Sequence, residues 1–405
     1  MKAGTDLNRV RYWQDARRTG FENFGLDFIK TRHTVFGGSG RAQIVNYEAA
    51  FYVQDSWRMR PGLLLDVGLR GDWDQILNYW NVSPRVGFAW QPPGLDRTKI
   101  SGGYAVIYDA TNLRIFTRPL DQYAITTYFD GSGRPDRGPA YTVFTIQNPR
   151  PARPRYRSWS LGLEQEFGWG LQGKFEVLRK RGTYGFTYVN ALGDQSIRPP
   201  DFVPPSSTGL PRGAAPQFDA IYSLTNDRRD EYDHFRVTMR KSFRRKYELL
   251  VAYTRSNARS NSVVDASVDE PIIVRTNIGP MPWDAPHHLL SWGYLPTPLK
   301  KWSAAYMLEY RTGFPFSIVD DDGAVIGGVN ERRFPSFFQL NIHLERRFVF
   351  HNNLWAFRMG SNNVTNNSNP SVVNNYVGAR NFLQFYGGAD RSFNFRIRWL
   401  GRSGP

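Results

Sequence analysis

Two neighbouring β-strands can be read directly from Tyr47–Arg70, which has the sequence YEAAFYVQDSWRMRPGLLLDVGLR. Before the Pro-Gly pair, one side of the chain carries Tyr, Ala, Phe and Val while the other carries Glu, Ala, Tyr and Gln. After it, Leu, Leu, Val and Leu alternate with Leu, Asp, Gly and Arg. Strict alternation is typical of a strand with one apolar and one polar face. The stretch therefore predicts a β-hairpin with a tight turn at Met59–Gly62.

The same alternation recurs along the chain, whereas no segment of convincing length has a helical period. It predicts an all-β, antiparallel fold of fourteen strands, with room for further β structure in Thr19–Gly40. The predicted strands are 1–13, 46–58, 62–74, 83–91, 98–108, 156–167, 171–189, 230–243, 247–258, 286–295, 301–311, 336–348, 354–365 and 390–400.

The composition narrows the class of protein. None of the 405 residues is a cysteine, which excludes disulfides, thiolate metal sites and cysteine nucleophiles. No apolar run approaches the roughly 18–20 residues of a membrane-spanning helix. Aromatic residues make up 15% of the chain, and its net charge is +16. This combination favours sheet structure over a helical membrane protein.

The lengths of the connections distinguish a membrane barrel from a soluble β-sandwich. Short turns on one side and long loops on the other are typical of outer-membrane barrels, and the two kinds alternate here. The short links are Met59–Gly62, Pro92–Arg97, Gly168–Gly170, Arg244–Lys246, Pro296–Lys300 and Val349–Asn353. The long links are Asp74–Val82, Asp109–Arg155, Ala191–Asp230, Arg259–Ala285, Thr312–Pro335 and Asn366–Ala389. We therefore expect an antiparallel transmembrane β-barrel, with the sandwich as a minor alternative.

The two faces of such strands have different roles. A wide barrel has a wet, polar inner wall, so we predict that seven polar residues face the lumen: Arg70, Arg236, Arg240, Asn341, Glu345, Arg396 and Arg398. Amphipathic rings prefer the level of the lipid headgroups. Seven aromatic residues close to the short turns are predicted to form a membrane-interface girdle: Trp57, Trp90, Phe167, Phe243, Tyr247, Phe348 and Trp355.

The excess of positive charge could also indicate an anionic partner. Nucleic-acid binders concentrate basic residues on one patch, whereas many arginines here alternate along strands, so we expect no nucleic-acid partner. Arg150, Arg153 and Arg155, in a loop, are candidates for contact with anionic lipopolysaccharide.

No motif predicts a metal site, a cofactor or an enzyme. His287 and His288 are adjacent on a strand and point to opposite faces, so they cannot share one ion. The run Asp320–Gly323 lacks the spaced ligands of a calcium loop. The sequence contains no Gly-x-Ser-x-Gly elbow, phosphate-binding loop or His-Glu-x-x-His motif.

An ordered series of fragments resembles the barrel of TonB-dependent outer-membrane transporters, particularly the Oar-like subgroup. The fragments cover most of the chain from Tyr47 to Trp399 in collinear order. They are YVQDSWRMRPGLLLDVGLRGD (Tyr52–Asp72), SPRVGFAW (Ser83–Trp90), KISGGYAVIYD (Lys99–Asp109), DEYDHFRVTMRKSF (Asp230–Phe243), YELLVAYTRSNA (Tyr247–Ala258), DAPHHLL (Asp284–Leu290), YRTGFPFS (Tyr310–Ser317) and SNNVTNNSNP (Ser361–Pro370).

This resemblance implies a barrel of about 22 strands with a plugged lumen, preceded by a signal peptide and a plug that carries the TonB box. The chain matches only the C-terminal barrel portion, so we expect a fragment without plug. Residues 1–45 would hold the first strand and a loop at a truncated N-terminal edge, residues 46–400 the barrel strands, and 401–405 a tail. The first and last strands are then not expected to close fourteen strands into a barrel.

The function that the resemblance implies is energised uptake of an unidentified extracellular ligand across the outer membrane of a Gram-negative cell. Contact with TonB would require the missing plug. The loops Asp109–Arg155 and Ala191–Asp230, rich in Tyr, Arg and Pro, are the ligand-facing candidates. The alternative is a stand-alone porin-like or surface-adhesion barrel, for which the DNA upstream of Met1 is the discriminating observation.

Overall fold

Fourteen long strands, each antiparallel to the next along the chain, form one continuous sheet. The structure, a computed structural model, describes residues 1–25, 28–146, 148, 150–192, 217–243, 247–265, 272–320 and 325–402. The strands are β1 (Lys2–Asp15), β2 (Arg41–Arg60), β3 (Leu63–Asp74), β4 (Trp80–Trp90), β5 (Thr98–Tyr108), β6 (Arg155–Gly168), β7 (Leu171–Asn190), β8 (Gln217–Phe243), β9 (Tyr247–Asp265), β10 (His287–Pro296), β11 (Trp302–Arg311), β12 (Phe337–Phe350), β13 (Asn353–Asn362) and β14 (Ser392–Arg402). All fourteen predicted strands are confirmed.

The observed bounds differ from the predicted ones mainly at the ends that lead into long loops. β2 begins at Arg41 and β8 at Gln217, so both strands extend well beyond the alternating segment that the sequence shows. The second predicted ligand-facing loop, Ala191–Asp230, is therefore strand from Gln217 onward, and its residues 193–216 lie outside the described part of the chain. The turn at 244–246 also lies outside it.

The sheet is open between its first and last strands. β1 pairs only with β2, and β14 pairs only with β13, among the residues that the structure describes. The expectation that these fourteen strands do not close a barrel is confirmed.

Tight turns at one end of the sheet depend on glycine. Gly62, between β2 and β3, has φ +79°, and a Cβ there would lie 2.6 Å from the Gln91 carbonyl oxygen. Only glycine combines this backbone conformation with so close an approach. We call this the short-turn end of the sheet and the opposite one the long-loop end.

Further short elements lie in the long loops. The helical ones are α1 (Leu113–Thr117) and a 3₁₀ turn at Arg118–Leu120, which the sequence did not predict; the Asn112 side chain caps α1 by accepting a hydrogen bond from the Arg114 amide at 3.1 Å. Within the described residues no helix has the length and apolar character needed to cross a membrane. The additional strands are Phe21–Phe24, Lys30–Gly37, Tyr123–Phe129, Pro135–Thr145, Ile272–Pro280, Pro315–Phe316, Ile318–Val319, Val325–Ile326, Arg332–Arg333, Val372–Val373 and Phe385–Tyr386.

The buried core lies at the long-loop end and not along the strands of the sheet. One cluster contains Leu77, Phe116, Phe144, Phe186, Tyr188 and Leu224. Along the strands, by contrast, large apolar side chains are open: Leu161 is 48% exposed and Ile397 is 66% exposed. A soluble sandwich would bury such a face, whereas a membrane barrel turns it toward lipid.

Candidate functional site

Three loops join into one sheet at the long-loop end. Phe21–Phe24 pairs with Lys30–Gly37, which pairs in turn with Tyr123–Phe129. Tyr123–Phe129 pairs with Pro135–Thr145, which runs parallel to the first residues of β8. The expectation of β structure within Thr19–Gly40 is thus confirmed. We call residues 21–24, 30–37, 123–129, 135–145 and 217–223 the loop sheet.

Aromatic packing anchors the loop sheet to the top of β7. Phe144 lies edge-on to Tyr188 with ring centroids 5.0 Å apart, and Phe116 lies edge-on to Phe186 at 5.4 Å. The Tyr188 hydroxyl donates to the Ile115 carbonyl at 2.7 Å. Edge-to-face aromatic pairs add to the free energy of burial, so these contacts hold α1 and the 109–154 loop in one arrangement.

A buried carboxylate ties the loop between β1 and β2, here called the first loop, to the loop between β5 and β6 (residues 109–154), here called the third loop. Asp121, whose side chain is 3% exposed, accepts two hydrogen bonds from Arg18 at 3.0 and 3.1 Å, and Arg118 lies 3.6 Å away. Burial opposes ionisation of Asp121, but hydrogen bonds from Arg18 and from the Gln122 backbone outweigh it, and the pKa of Asp121 lies below its ordinary value. Burial lowers the pKa of Arg118. The three charged groups form a clamp, here called the Asp121 clamp.

A second buried ion pair fixes the two ends of the third loop against β3. Asp74 is fully buried and forms a salt bridge with Arg153, which is 6% exposed. Thr111 donates its hydroxyl to the same carboxylate at 2.8 Å, and the Leu77 amide donates to it at 2.9 Å. Arg153 is therefore a buried structural residue, and its proposed contact with lipopolysaccharide is wrong. Arg155 lies in β6 and not in a loop.

A cavity of about 620 Å³ opens on the polar face of β1 to β5, beside the base of the third loop. Arg70 lines this cavity and donates to Asp6 at 3.2 Å and to Asp72 at 2.8 Å. Burial raises the pKa of Asp109 at the rim. The charged lining residues are Asp6, Glu48, Arg70, Asp72, Arg85, Asp109 and Arg153. Such a mixed lining suits a polar ligand that presents several hydrogen-bonding groups.

The pairing register places all seven predicted lumen-facing residues on one face of the sheet. Asn341 and Glu345 share a face along β12, and Glu345 is opposite Arg358, which is in turn opposite Arg396. Arg398 donates to Glu345 at 2.7 Å. On β8, Arg236 donates to Thr254 at 3.0 Å and Arg240 contacts Glu248. Arg70 joins this face through the cavity described above, so we call it the polar face.

The predicted interface aromatics lie beside the short turns, with six on the opposite, apolar face. Phe243 stacks on Tyr247 across the β8–β9 pair with centroids 6.0 Å apart, and Phe348 is opposite Trp355. Trp57 is opposite Leu65, and Trp90 is opposite Leu63. Phe167 falls at a bulge next to Gly168. Their contact with lipid stays a prediction.

Some strand arginines lie on the apolar face, which the sequence reasoning missed. Arg157 and Arg179 have the same parity as Trp159, Leu161 and Val177 in β6 and β7. The sequence contained the information needed to find them. The alternation continues past the apolar residues toward the long-loop end of each strand and so assigns these arginines to the apolar face.

The two adjacent histidines, which were candidate metal ligands, do not converge on one site. His287 contacts Tyr253 and Arg255, whereas His288 lies 3.2 Å from Glu309 on the opposite face. No group of three or more potential metal ligands occurs within the described residues. Of the Asp320–Gly323 run, only Asp320 is described.

Two protein families match the chain, and no curated protein does. The family described as "Outer membrane beta barrel domain" matches residues 75–334, more than half of the chain, and "TonB dependent receptor-like, beta-barrel" matches residues 3–118. Both describe barrels, in agreement with the prediction that the chain is not an enzyme.

Solved structures of outer-membrane transporters and receptors share the fold at low sequence identity. The outer membrane transporter YddB from Escherichia coli is 13% identical, with a TM-score of 0.65 over 98% of this chain and 50% of its own. A mutant of the ferric enterobactin receptor PfeA from Pseudomonas aeruginosa, in complex with enterobactin, is 15% identical, with a TM-score of 0.58 over 89% and 46%. The FrpB iron transporter from Neisseria meningitidis is 10% identical, with a TM-score of 0.56 over 93% and 53%.

The chain spans about half the length of these structures. The antiparallel strands, the exposed apolar face and the family match all indicate an outer-membrane barrel. The chain therefore belongs to the outer membrane beta barrel domain family and lies in the outer membrane of a Gram-negative cell.

Proposed function

We propose that this chain forms the C-terminal barrel wall of a TonB-dependent receptor that takes up an extracellular ligand, in a protein of the Oar-like subgroup. The observation that carries the proposal is the loop sheet above a charged cavity on the polar face. Pre-assembled loops beside a polar cavity provide a place where a ligand from outside can be captured before it passes inward. The third loop contributes Asp109 and Arg153 to that cavity, in support of its role as a ligand-facing segment.

The orientation of the sheet follows from its two faces. In this proposal the polar face lines the lumen, and the apolar face, with its aromatic residues at the short-turn end, contacts the lipid and lipopolysaccharide of the outer membrane. The loop sheet is then extracellular and the short turns are periplasmic.

The open edges support a larger barrel. An unpaired strand edge within a membrane leaves backbone groups without partners, which is costly in hydrocarbon. We propose that further strands of the same protein, about eight for a barrel of about 22, pair with β1 and β14. The plug and its contact with TonB would also belong to that part.

The stand-alone porin-like or adhesion barrel lacks comparable support. It requires β1 to pair with β14, and the described residues show no such pairing. We therefore keep it as the outcome that would replace the proposal.

Two measurements test the proposal. The first is to read the DNA upstream of the Met1 codon for an in-frame signal peptide, plug and additional strands. The second compares conductance in planar lipid bilayers for the 405-residue chain and for the complete reading frame. We expect a closed, heat-modifiable barrel only from the complete frame. A stable open pore formed by the chain alone would overturn the proposal in favour of the porin-like barrel.

A further inference from the structure

Three arginines lie together on the apolar face, at the long-loop end of β6 and β7. Arg157 is directly opposite Arg181 in the register, and Arg179 lies two residues from Arg181 on the same strand. Arg179 is opposite Trp159, and its guanidinium lies 5.9 Å from the centre of that indole ring. We call Arg157, Arg179 and Arg181 the arginine cluster.

The cluster lies at the depth where the hydrocarbon layer ends. A tilted strand crosses that layer in about 9–11 residues, and Arg179 and Arg181 are the ninth and eleventh residues of β7, which begins at Leu171 beside a short turn. Phe175 and Val177, below them on the same face, are apolar, and Phe175 is 42% exposed. The side chains therefore change from apolar to cationic where lipid chains give way to headgroups.

The cluster has an excess of positive charge. Asp233 of β8 accepts hydrogen bonds from both Arg179, at 2.9 Å, and Arg181, at 3.0 and 2.8 Å. Glu231 is opposite Arg181 in the register. Among the described residues Arg157 forms no ion pair. Arg255 lies on the same face, one row below Arg179 and Asp233, and its guanidinium lies 2.8 Å from His287. Arg259 is in turn opposite Glu231, so guanidinium groups outnumber the two carboxylates on this part of the face.

Two like charges directly opposite in a sheet repel each other, and the Arg157–Arg181 pair therefore gains from an anion bound between them. Guanidinium groups bind phosphate with paired, charge-assisted hydrogen bonds. The phosphates of lipopolysaccharide lie at this depth on the outer side of the membrane. We infer that the arginine cluster binds a lipopolysaccharide phosphate, with Trp159 packed beside the headgroup. This inference rests on the proposed lipid contact of the apolar face.

The test measures binding of the 405-residue chain, in detergent, to lipopolysaccharide and to its dephosphorylated form. We expect the double variant Arg157→Gln/Arg181→Gln to bind lipopolysaccharide about tenfold more weakly or worse, because two charge-assisted hydrogen-bond donors are lost. Asp233→Asn should bind more tightly, because a competing carboxylate is removed. Inorganic phosphate should not displace the lipid, which would distinguish lipid-bound from free phosphate.

Arg346→Gln is the matched control. Arg346 is also on the apolar face beside a tryptophan, 5.9 Å from the Trp302 ring, but it lies near the short-turn end. Its substitution should leave the affinity unchanged. The inference is overturned if the double variant binds as tightly as the unchanged chain, or if dephosphorylated lipid binds equally well.

A separate reporter distinguishes failure of this inference from failure of the proposed lipid contact. Because the chain has no cysteine, Leu161→Cys can carry a single environment-sensitive fluorophore directly below the cluster. Emission typical of lipid, without phosphate dependence, rejects the cluster alone. Emission typical of water rejects the lipid contact as well. A far-ultraviolet circular dichroism spectrum equal to that of the unchanged chain shows that each variant keeps its β structure.

Discussion

At the scale of single residues, two carboxylates at the long-loop end are buried and paired with arginines, one of which, Arg153, the sequence predicted to be exposed. Asp74 and Asp121 are both almost inaccessible, and each holds a guanidinium from a distant part of the chain. Removing one partner of such a pair leaves an uncompensated buried charge, which commonly costs about 3–5 kcal/mol. These two carboxylates therefore fix the positions of the loops relative to the strands.

The Asp121 clamp leads to a first prediction. Asp121→Asn keeps the shape of the side chain but leaves Arg118, which is 7% exposed, without its carboxylate. We expect the loop sheet to lose about 3 kcal/mol of local stability, measured as faster amide hydrogen exchange in 30–37 and 123–129. Exchange in β12 should not change. Unaltered protection in the loop strands would show that aromatic packing alone holds them.

The same carboxylate predicts a dependence on pH. Because the pKa of Asp121 is lower in the folded protein, its contribution is present above its unfolded pKa of about 3.9 and is lost as pH falls through the folded value. Loop-sheet protection should stay constant from about pH 8 to pH 5 and decline below about pH 4. Asp121→Asn should abolish this step, whereas Asp130→Asn, at the exposed hairpin tip, should keep it. An identical acid step in both variants would contradict the assignment.

At the scale of elements, close packing of strands depends on positions where only a small side chain fits. In β5, a Cβ on Gly102 would lie 2.7 Å from the Phe88 ring and 3.0 Å from the Ser160 carbonyl oxygen. The Phe88 ring and the Ser160 carbonyl group are therefore the two groups that an added methyl group would meet. Across the same strand pair, a Cβ on Gly87 would have its nearest neighbour at 3.6 Å.

These two glycines give a matched pair of variants. Gly102→Ala should destabilise the β4–β5–β6 region by about 1–3 kcal/mol, because the added methyl group overpacks the site. Gly87→Ala should be close to neutral. The measurement is unfolding by denaturant in detergent micelles. Equal effects of the two substitutions would show that the spacing of these strands is not set by Gly102.

Strand positions were predictable because alternation is a local pattern, and the parity of each residue then assigned its face. The loop sheet was not predictable in the same way. Its pairings join residues about a hundred positions apart, such as Thr34 with Thr126, and no local period indicates them. The Asp74–Arg153 pair was missed for the same reason, since two complete strands, β4 and β5, and the loops around them separate its members.

At the scale of the whole molecule, the family match and the exposed apolar face indicate a barrel wall. The difference between its two ends predicts how this wall is oriented in the outer membrane. The loop sheet should lie outside the cell and the short turns in the periplasm. In cells that export the protein, Ser132→Cys at the loop hairpin tip should react with a membrane-impermeant maleimide, whereas Asn352→Cys in the β12–β13 turn should react only after the outer membrane is opened. Labelling of Asn352→Cys in intact cells would invert the proposed orientation.

The most direct test of a membrane-spanning wall is a fluorophore scan along β12 with the protein in lipid vesicles. Single cysteines are placed at each residue from Phe338 to Glu345 and labelled with a fluorophore that lipid-phase bromine quenches. We predict quenching with a period of two: strong at Phe338, Leu340, Ile342 and Leu344, whose side chains share the apolar face, and weak at the alternate residues Gln339, Asn341, His343 and Glu345. Uniform exposure to water along the strand, or strong quenching at Asn341 and Glu345 instead, would contradict the account.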